Sequence, residues 1–214
     1  MTHLEGHLGR VGSESAAADV WHARITGSAP DVSALSAVER ERLGRFKDRA
    51  AASRFAATRT LVRRVLGGAL GQAPGDVRIT QTDLGKPVVA GGVHFNVSHS
   101  GDLIVLAVSG DRAVGIDIER RREVQRTDAL VRRWLTDPER ADVERRVAQG
   151  LSSSDAFLHV WSLKEARLKA LGVGIAGSPA ANLAETAAFP LDELLGQLSP
   201  VGGAPEYIGA VAFA

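Results

Sequence analysis

Asp117 and Glu119 stand two residues apart in Val114-Gly115-Ile116-Asp117-Ile118-Glu119, a run that reads as an apolar strand. Alternation puts both carboxylates on one face, about 7 Å apart along the strand, with Ile116 and Ile118 on the other. Two acids with apolar flanks are costly to bury unless something positive joins them. A third acid, Glu165, lies in a Gly- and Pro-free run from Ser152 to Leu171 that reads as helix, with Lys169 four residues on and on the same face. Three hard oxygen donors suit Mg²⁺, with Mn²⁺ as a substitute, water and a phosphate filling the other positions. The plainer readings are that Arg120, Arg121 and Arg122 neutralise an exposed strand end, and that Glu165 and Lys169 form an ordinary surface pair.

Other elements must bring these groups together. Ser36 with Glu39 three residues on forms a capping-box signature for a helix from Ala37 to about Phe46. A second helix runs from about Asp48 to Leu70, with Phe55, Leu61, Val62, Val65 and Leu66 at core spacing. It also carries Arg54, Arg59, Arg63 and Arg64, of which Arg59 and Arg64 read as solvated. Short strands are expected over 77–80 and 88–90, flanking Gly85-Lys86-Pro87, a turn that could present Lys86 rigidly. Phe95 to Val97, Leu103 to Val108 and Ala113 to Ile118 follow as strands, and Ser98-His99-Ser100 reads as a polar turn. A helix over about 124–135 precedes Thr136-Asp137-Pro138-Glu139, a second capping signature with Pro in the first turn. Trp161 reads as core on the inner face of the Glu165 helix. Met1 to Ala18 reads as a frayed leader, 27–30 as a turn, the chain after Gly172 as irregular, and Tyr207 to Phe213 as a closing strand.

The 214 residues suffice for one domain or two small ones. A net charge of +1 gives no basic field of the kind a dedicated nucleic-acid binder carries, so any anionic ligand must be met by a local cluster of base. With no cysteine there is neither a disulfide nor a thiolate site, which fits a cytoplasmic location. No apolar run approaches the ~20 residues that a membrane helix needs, and the first fifteen residues do not read as a signal peptide.

Taken together, the acidic strand, the Phe95 to Ser100 stretch and Trp161-Ser162-Leu163-Lys164-Glu165-Ala166-Arg167-Leu168-Lys169-Ala170 resemble the 4′-phosphopantetheinyl transferases of the surfactin-synthetase-activating (Sfp) type. So do Leu35-Ser36 through Phe46, Arg54, Leu61 to Leu66 and Gly85-Lys86-Pro87, in family order and spacing. The resemblance implies an α+β fold, a pseudo-dimer of two similar α/β subdomains, residues 1–110 and 111–214, with the active site in the cleft between them. It implies transfer of the phosphopantetheine arm of coenzyme A, as co-substrate, to a serine of an apo acyl or peptidyl carrier protein, by a monomer. Residue by residue, Asp117, Glu119 and Glu165 would hold the metal. Glu165 would act as base, directly or through a metal-bound water, and Lys169 would contact the pyrophosphate. Arg54 and His99 would hold the 3′-phosphate, Gly85, Lys86 and Pro87 would line the adenine side, Ser98 would supply a hydroxyl, and Lys164 would help position the pyrophosphate.

The chain departs from the family where two further basic residues often precede the Arg54 position; here Arg42 is the replacement, with Arg40 weaker. By the resemblance, Arg120 to Ser154 borders the carrier-docking surface, where Arg132, Arg133 and the Arg120 to Arg122 run could meet an acidic carrier helix. Two rival readings are a coenzyme A-binding paralogue that has lost catalysis and a metal-dependent exonuclease. The exonuclease needs its acidic strand early and a His or Tyr shortly before a later Asp, and neither His159 nor Tyr207 is followed by one.

Overall fold

The computed structural model describes residues 4–25, 31–173, 186–198 and 206–214. Its elements in chain order are β1 (Leu4–Ser13), β2 (Ala16–Arg24), α1 (Ala37–Gly44), α2 (Arg49–Leu70), β3 (Ile79–Gln81), β4 (Pro87–Val89), β5 (His94–Ser100), β6 (Leu103–Ser109) and β7 (Val114–Arg120). Then come α3 (Thr127–Trp134), α4 (Asp137–Ala148), α5 (Ser153–Leu171), β8 (Ala187–Pro190), α6 (Asp192–Gly196) and β9 (Tyr207–Phe213). The fold is mixed α/β. One antiparallel sheet has the order β1-β2-β6-β5, another β7-β9-β8, and β3 and β4 pair by themselves.

Local signals account for the helices. Ser36 and Glu39 form the reciprocal capping box of α1, and Thr136 with Glu139 repeats it at α4. Asp48 caps α2 through the Ala50 N–H, 2.9 Å away. Gly71 and Gly172 end α2 and α5 in the left-handed region, where a Cβ is penalised.

Three expectations need correcting. The stretch expected to be a frayed leader is mostly strand: β1 pairs with β2 from Leu4↔Ala23 to Ser13↔Ala16, while residues 1–3 lie outside the described set. Local propensity hides β1, because Gly6, Gly9 and Gly12 interrupt it; they take φ values of 124°, 150° and 136° around its two bulges. Ser98-His99-Ser100 is not a turn but the end of β5, paired with β6 out to Ser100↔Leu103. Of the chain after Gly172, expected to be irregular, residues 187–190 form β8 and 192–196 form α6, and the expected turn at 27–30 lies outside the described residues.

The core joins the two sheets. Ala18, Val20, Leu103, Val105 and Ala107 of the first pack with Val114, Ile116, Ile118, Val211 and Phe213 of the second. Behind the first sheet, Leu61, Val62 and Leu66 of α2 meet Phe95, Ile104 and Leu106. Among the described residues no helix is long and apolar enough to cross a membrane.

Candidate active site

Strands β5 and β7 each lie at the edge of a different sheet, and they meet through side chains. Asn96, Ser98 and Ser100, spaced by two along β5, present three oxygens to β7. Asn96 Oδ1 accepts the Ile116 N–H at 3.0 Å, Ser98 Oγ the Ile118 N–H at 3.4 Å, and Ser100 Oγ the Arg120 N–H at 3.0 Å. The free N–H groups of a sheet edge are thus satisfied without a merged ladder. The intervening residues of β7, Asp117 and Glu119, point their carboxylates to the same serines: Ser98 Oγ donates to Asp117 Oδ1 at 3.1 Å and Ser100 Oγ to Glu119 Oε2 at 3.3 Å.

Helix α5 crosses β7 at Gly115, where any Cβ would overlap the Ala166 carbonyl oxygen and the Ala170 nitrogen. Ala166 and Ala170 lie against Ala210 and Ala212 of β9. Small residues therefore let the helix approach until Lys169 Nζ reaches Asp117 Oδ1 at 2.7 Å, the Ile116 carbonyl at 3.2 Å and Ser98 Oγ at 3.2 Å.

Asp117 is only 6% exposed. Burial pushes its carboxyl above the usual range and the Glu119 charge adds to this, while Lys169 and Ser98 oppose it. Glu165 is raised in the same way, by burial first and then by the Asp117 charge, with Lys169 opposing. Asp117 Oδ2 and Glu165 Oε1 are buried and have no hydrogen-bond partner among the described residues. Two unpartnered carboxylate oxygens on adjoining elements are what a hard divalent cation would satisfy. Glu119 is engaged elsewhere, by Arg122 at 2.9 Å as well as Ser100, and among the described residues no three acidic or imidazole side chains stand grouped as a ready metal cage. The donor chemistry fits magnesium at Asp117 and Glu165, and Glu119, whose Oε2 takes both Arg122 and Ser100, has Oε1 left to join them.

His99 follows Ser98 at the end of β5, with part of its surface open to solvent. Partial burial, the facing Arg54 charge and Lys169 hold its imidazole below the ordinary value. Arg54 makes no hydrogen bond or ion pair among the described residues. Arg54, His99 and Lys169 thus share one electropositive region.

Four residues singled out in the sequence are placed as follows. The Lys86 ammonium is directed to main-chain carbonyls, Ala170 O at 2.5 Å and Val114 O at 3.3 Å. Lys164 is buried and donates to Glu139 Oε2 at 2.8 Å, tying α5 to the start of α4. Trp161 is partly buried as a core residue, stacked on Phe157, edge-on to Trp134 and packed against the cluster that holds Leu135, Val143 and Ile208. Ser98 Oγ donates to Asp117 and accepts from Lys169. Arg59 and Arg64, expected to be solvated, form ion pairs with Glu39 and Asp31. Buried Glu39 also pairs with Arg63; burial alone would raise its carboxyl, but the Ser36 N–H and the two arginines keep it below the usual value.

A cleft of about 1040 Å³ opens between α1, α2 and the β3–β4 hairpin, with Arg42, Phe55, Arg78 and Pro87 among its lining. Arg42 lies over the Phe55 ring at 5.1 Å. Residues whose importance sequence reasoning missed are Gly115, Asn96 and Ser100. Only the alternation of polar residues along Asn96-Val97-Ser98-His99-Ser100 hinted at the seam.

Two family models match successive stretches of the chain. Residues 20–111 match the 4′-phosphopantetheinyl transferase N-terminal family model, and residues 113–194 match that of the 4′-phosphopantetheinyl transferase superfamily. A phosphopantetheinyl transferase of Thraustochytrium sp. is 34% identical over 198 residues, covering 83% of this chain and 67% of that protein. The 4′-phosphopantetheinyl transferase HetI of Nostoc sp. is 36% identical over 147 residues, 66% of this chain and 61% of that one. A 4′-phosphopantetheinyl transferase of Bacillus subtilis is 32% identical over 146 residues, 67% and 63%. The matched region thus spans about two thirds of the length of these relatives. With its acidic strand, its Glu165 helix and both family matches in sequence order, the chain belongs to the 4′-phosphopantetheinyl transferase family.

Proposed function

We propose that this chain transfers the 4′-phosphopantetheine of coenzyme A to a serine hydroxyl of an apo acyl or peptidyl carrier protein and releases adenosine 3′,5′-bisphosphate, as an enzyme of the Sfp type. The observation that carries the reading is the pair of unpartnered, buried carboxylate oxygens, Asp117 Oδ2 and Glu165 Oε1, beside Lys169. A purely structural role leaves such oxygens without a purpose.

Asp117 and Glu165, joined by Glu119, would hold Mg²⁺ (or Mn²⁺), which when bound neutralises charge on the pyrophosphate. Glu165, on α5 beside Asp117, would take the serine proton, directly or through a water on the ion. Lys169, already held by Asp117 and Ser98, swings its charge onto the pyrophosphate oxygens as the leaving group forms. Arg54 and His99 clamp the 3′-phosphate, and the backbone of Gly85, Lys86 and Pro87 lines the adenine side, beside the cleft that contains Pro87 and Arg42. On this reading the seam between β5 and β7 divides two subdomains near Gly110, the enzyme acts as a monomer in the cytoplasm, and Arg132 and Arg133 of α3 meet the acidic carrier.

Intact-mass measurement of apo carriers with coenzyme A and Mg²⁺ tests the reading. One phosphopantetheine is gained with the native chain, none is gained with EDTA, and Glu165→Gln slows the gain by about 10²- to 10⁴-fold. No gain on any acyl or peptidyl carrier would refute it.

A further inference from the structure

We propose that Lys86 is a positioning residue, which clamps the last turn of α5 onto the start of β7 and so sets Glu165 and Lys169 against Asp117; the inference rests on the transferase reading. The turn that carries Lys86 is closed on itself. The Thr82 N–H donates to the Lys86 carbonyl at 2.9 Å, the Gly85 N–H to the Thr82 carbonyl at 2.8 Å, and the Lys86 N–H to Thr82 Oγ1 at 3.1 Å. Gly85 at φ 84° and the fixed ring of Pro87 leave the Lys86 backbone little freedom.

From this anchor the side chain reaches two elements at once. Nζ donates to the Ala170 carbonyl of α5 and the Val114 carbonyl of β7. Ala170 is in the final turn of the helix, whose carbonyls have no helical N–H and carry the negative end of the helix dipole, so an ammonium belongs there. The helix cap is shaped around the lysine. The Val173 N–H returns to the Leu168 carbonyl at 3.0 Å, and a Cβ on Gly172 would come within 3.0 Å of Lys86 Cδ. Burial lowers the Lys86 pKa to about 8, so the two carbonyls compensate a charge that is costly to keep there.

The clamp acts in series with the catalytic lysine. Lys86 takes the carbonyl of Val114 and Lys169 that of Ile116, two positions along the same strand, on either side of the Gly115 crossing. One lysine comes from the first half of the chain and one from the second. Only Lys169 reaches a carboxylate.

The test compares Lys86→Met, which keeps the aliphatic packing, with Lys86→Arg, which keeps the charge, in steady-state transfer to an apo carrier. Lys86→Met should lower kcat about tenfold and leave KM for coenzyme A within about twofold, with the same loss on 3′-dephospho-coenzyme A; Lys86→Arg should restore most of the rate. Arg54→Ala serves as the contrast, raising KM for coenzyme A and not for the dephospho substrate. Amide hydrogen exchange at 168–173 should quicken in Lys86→Met and stay native in Lys86→Arg. A raised KM at native kcat would make Lys86 a substrate ligand and overturn the clamp, as would a native rate with native exchange in Lys86→Met. Should the native chain transfer nothing, the transferase reading fails while the exchange measurement still decides the clamp. Should Lys86→Met not fold, Lys86→Gln takes its place in the same measurements.

Discussion

Helices α2 and α5 each cover a sheet, but they meet it through different side chains. Leu61, Val62 and Leu66 hold α2 away from Phe95, Ile104 and Leu106 by the thickness of two layers of branched and aromatic groups. Ala166 and Ala170 bring α5 down onto Ala210, Ala212 and Gly115, where helix backbone lies against strand backbone. A bulky interface stabilises by the area it buries and tolerates small shifts. A close one buries less and fixes position, because there is no side chain left to give. Glu165 and Lys169, the proposed reacting groups, ride on the close one.

The largest test of that contrast is Gly115→Val. The branched side chain has no space beneath Ala166 and Ala170, so α5 must lift and Lys169 must leave Asp117. Transfer should fall at least about a hundredfold, with an overpacking loss of roughly 1–3 kcal/mol in thermal or denaturant unfolding. A variant with the native rate would show that the close approach does not set the geometry. Next comes Leu61→Ala in the other unit. The cavity should cost about 2–5 kcal/mol, yet the rate per folded molecule should stay within about twofold, since nothing that reacts leans on that residue. A rate that fell with stability would erase the distinction between the two helices.

The smallest effect is a pH slope. Burial raises the Glu165 carboxyl in the folded protein, so the folded state holds that proton more tightly than the unfolded chain does. In metal-free protein this group's contribution to stability is present below the ordinary carboxylate range and is lost as pH rises through the raised value. Denaturant midpoints measured from pH 4 to 8 in EDTA should show a decline that Glu165→Gln lessens, Asp117, raised likewise, supplying the rest. An unchanged slope in Glu165→Gln would mean that the carboxyl is solvated after all.

Much of this was legible in the chain. The capping boxes at Ser36 and Thr136, the strand alternation around Asp117 and the long Glu165 helix are local signals, and each element lies where its own residues put it. Strands β1 and β8 were not legible, because glycines in one and a four-residue run ending in proline in the other carry little strand preference; their partners β2 and β9 hold them. Side-chain destinations were the other blind spot. Lys164 reads as a free cation until Glu139 of another helix is placed beside it, and Ser98 as a free hydroxyl until β7 arrives. Gly115 is visible as a glycine in a strand, but nothing in its neighbours says that a helix will lie on it.

The placement of β7 between β5 and β9 also has a consequence in time. Its contact with β5 spans some twenty residues, Asn96 to Ile116, and can form soon after both have left the ribosome. Its ladder partner lies far downstream: eighty-seven positions separate Arg120 from Tyr207, their nearest paired residues. At ~5–20 residues per second the nascent strand waits roughly 4–17 seconds for its second neighbour. During that interval an apolar strand has one edge covered by Asn96, Ser98 and Ser100 and the other bare. A seam made of side chains thus doubles as a nascent-chain guard, shielding half of an aggregation-prone strand before the half that completes the sheet has been made.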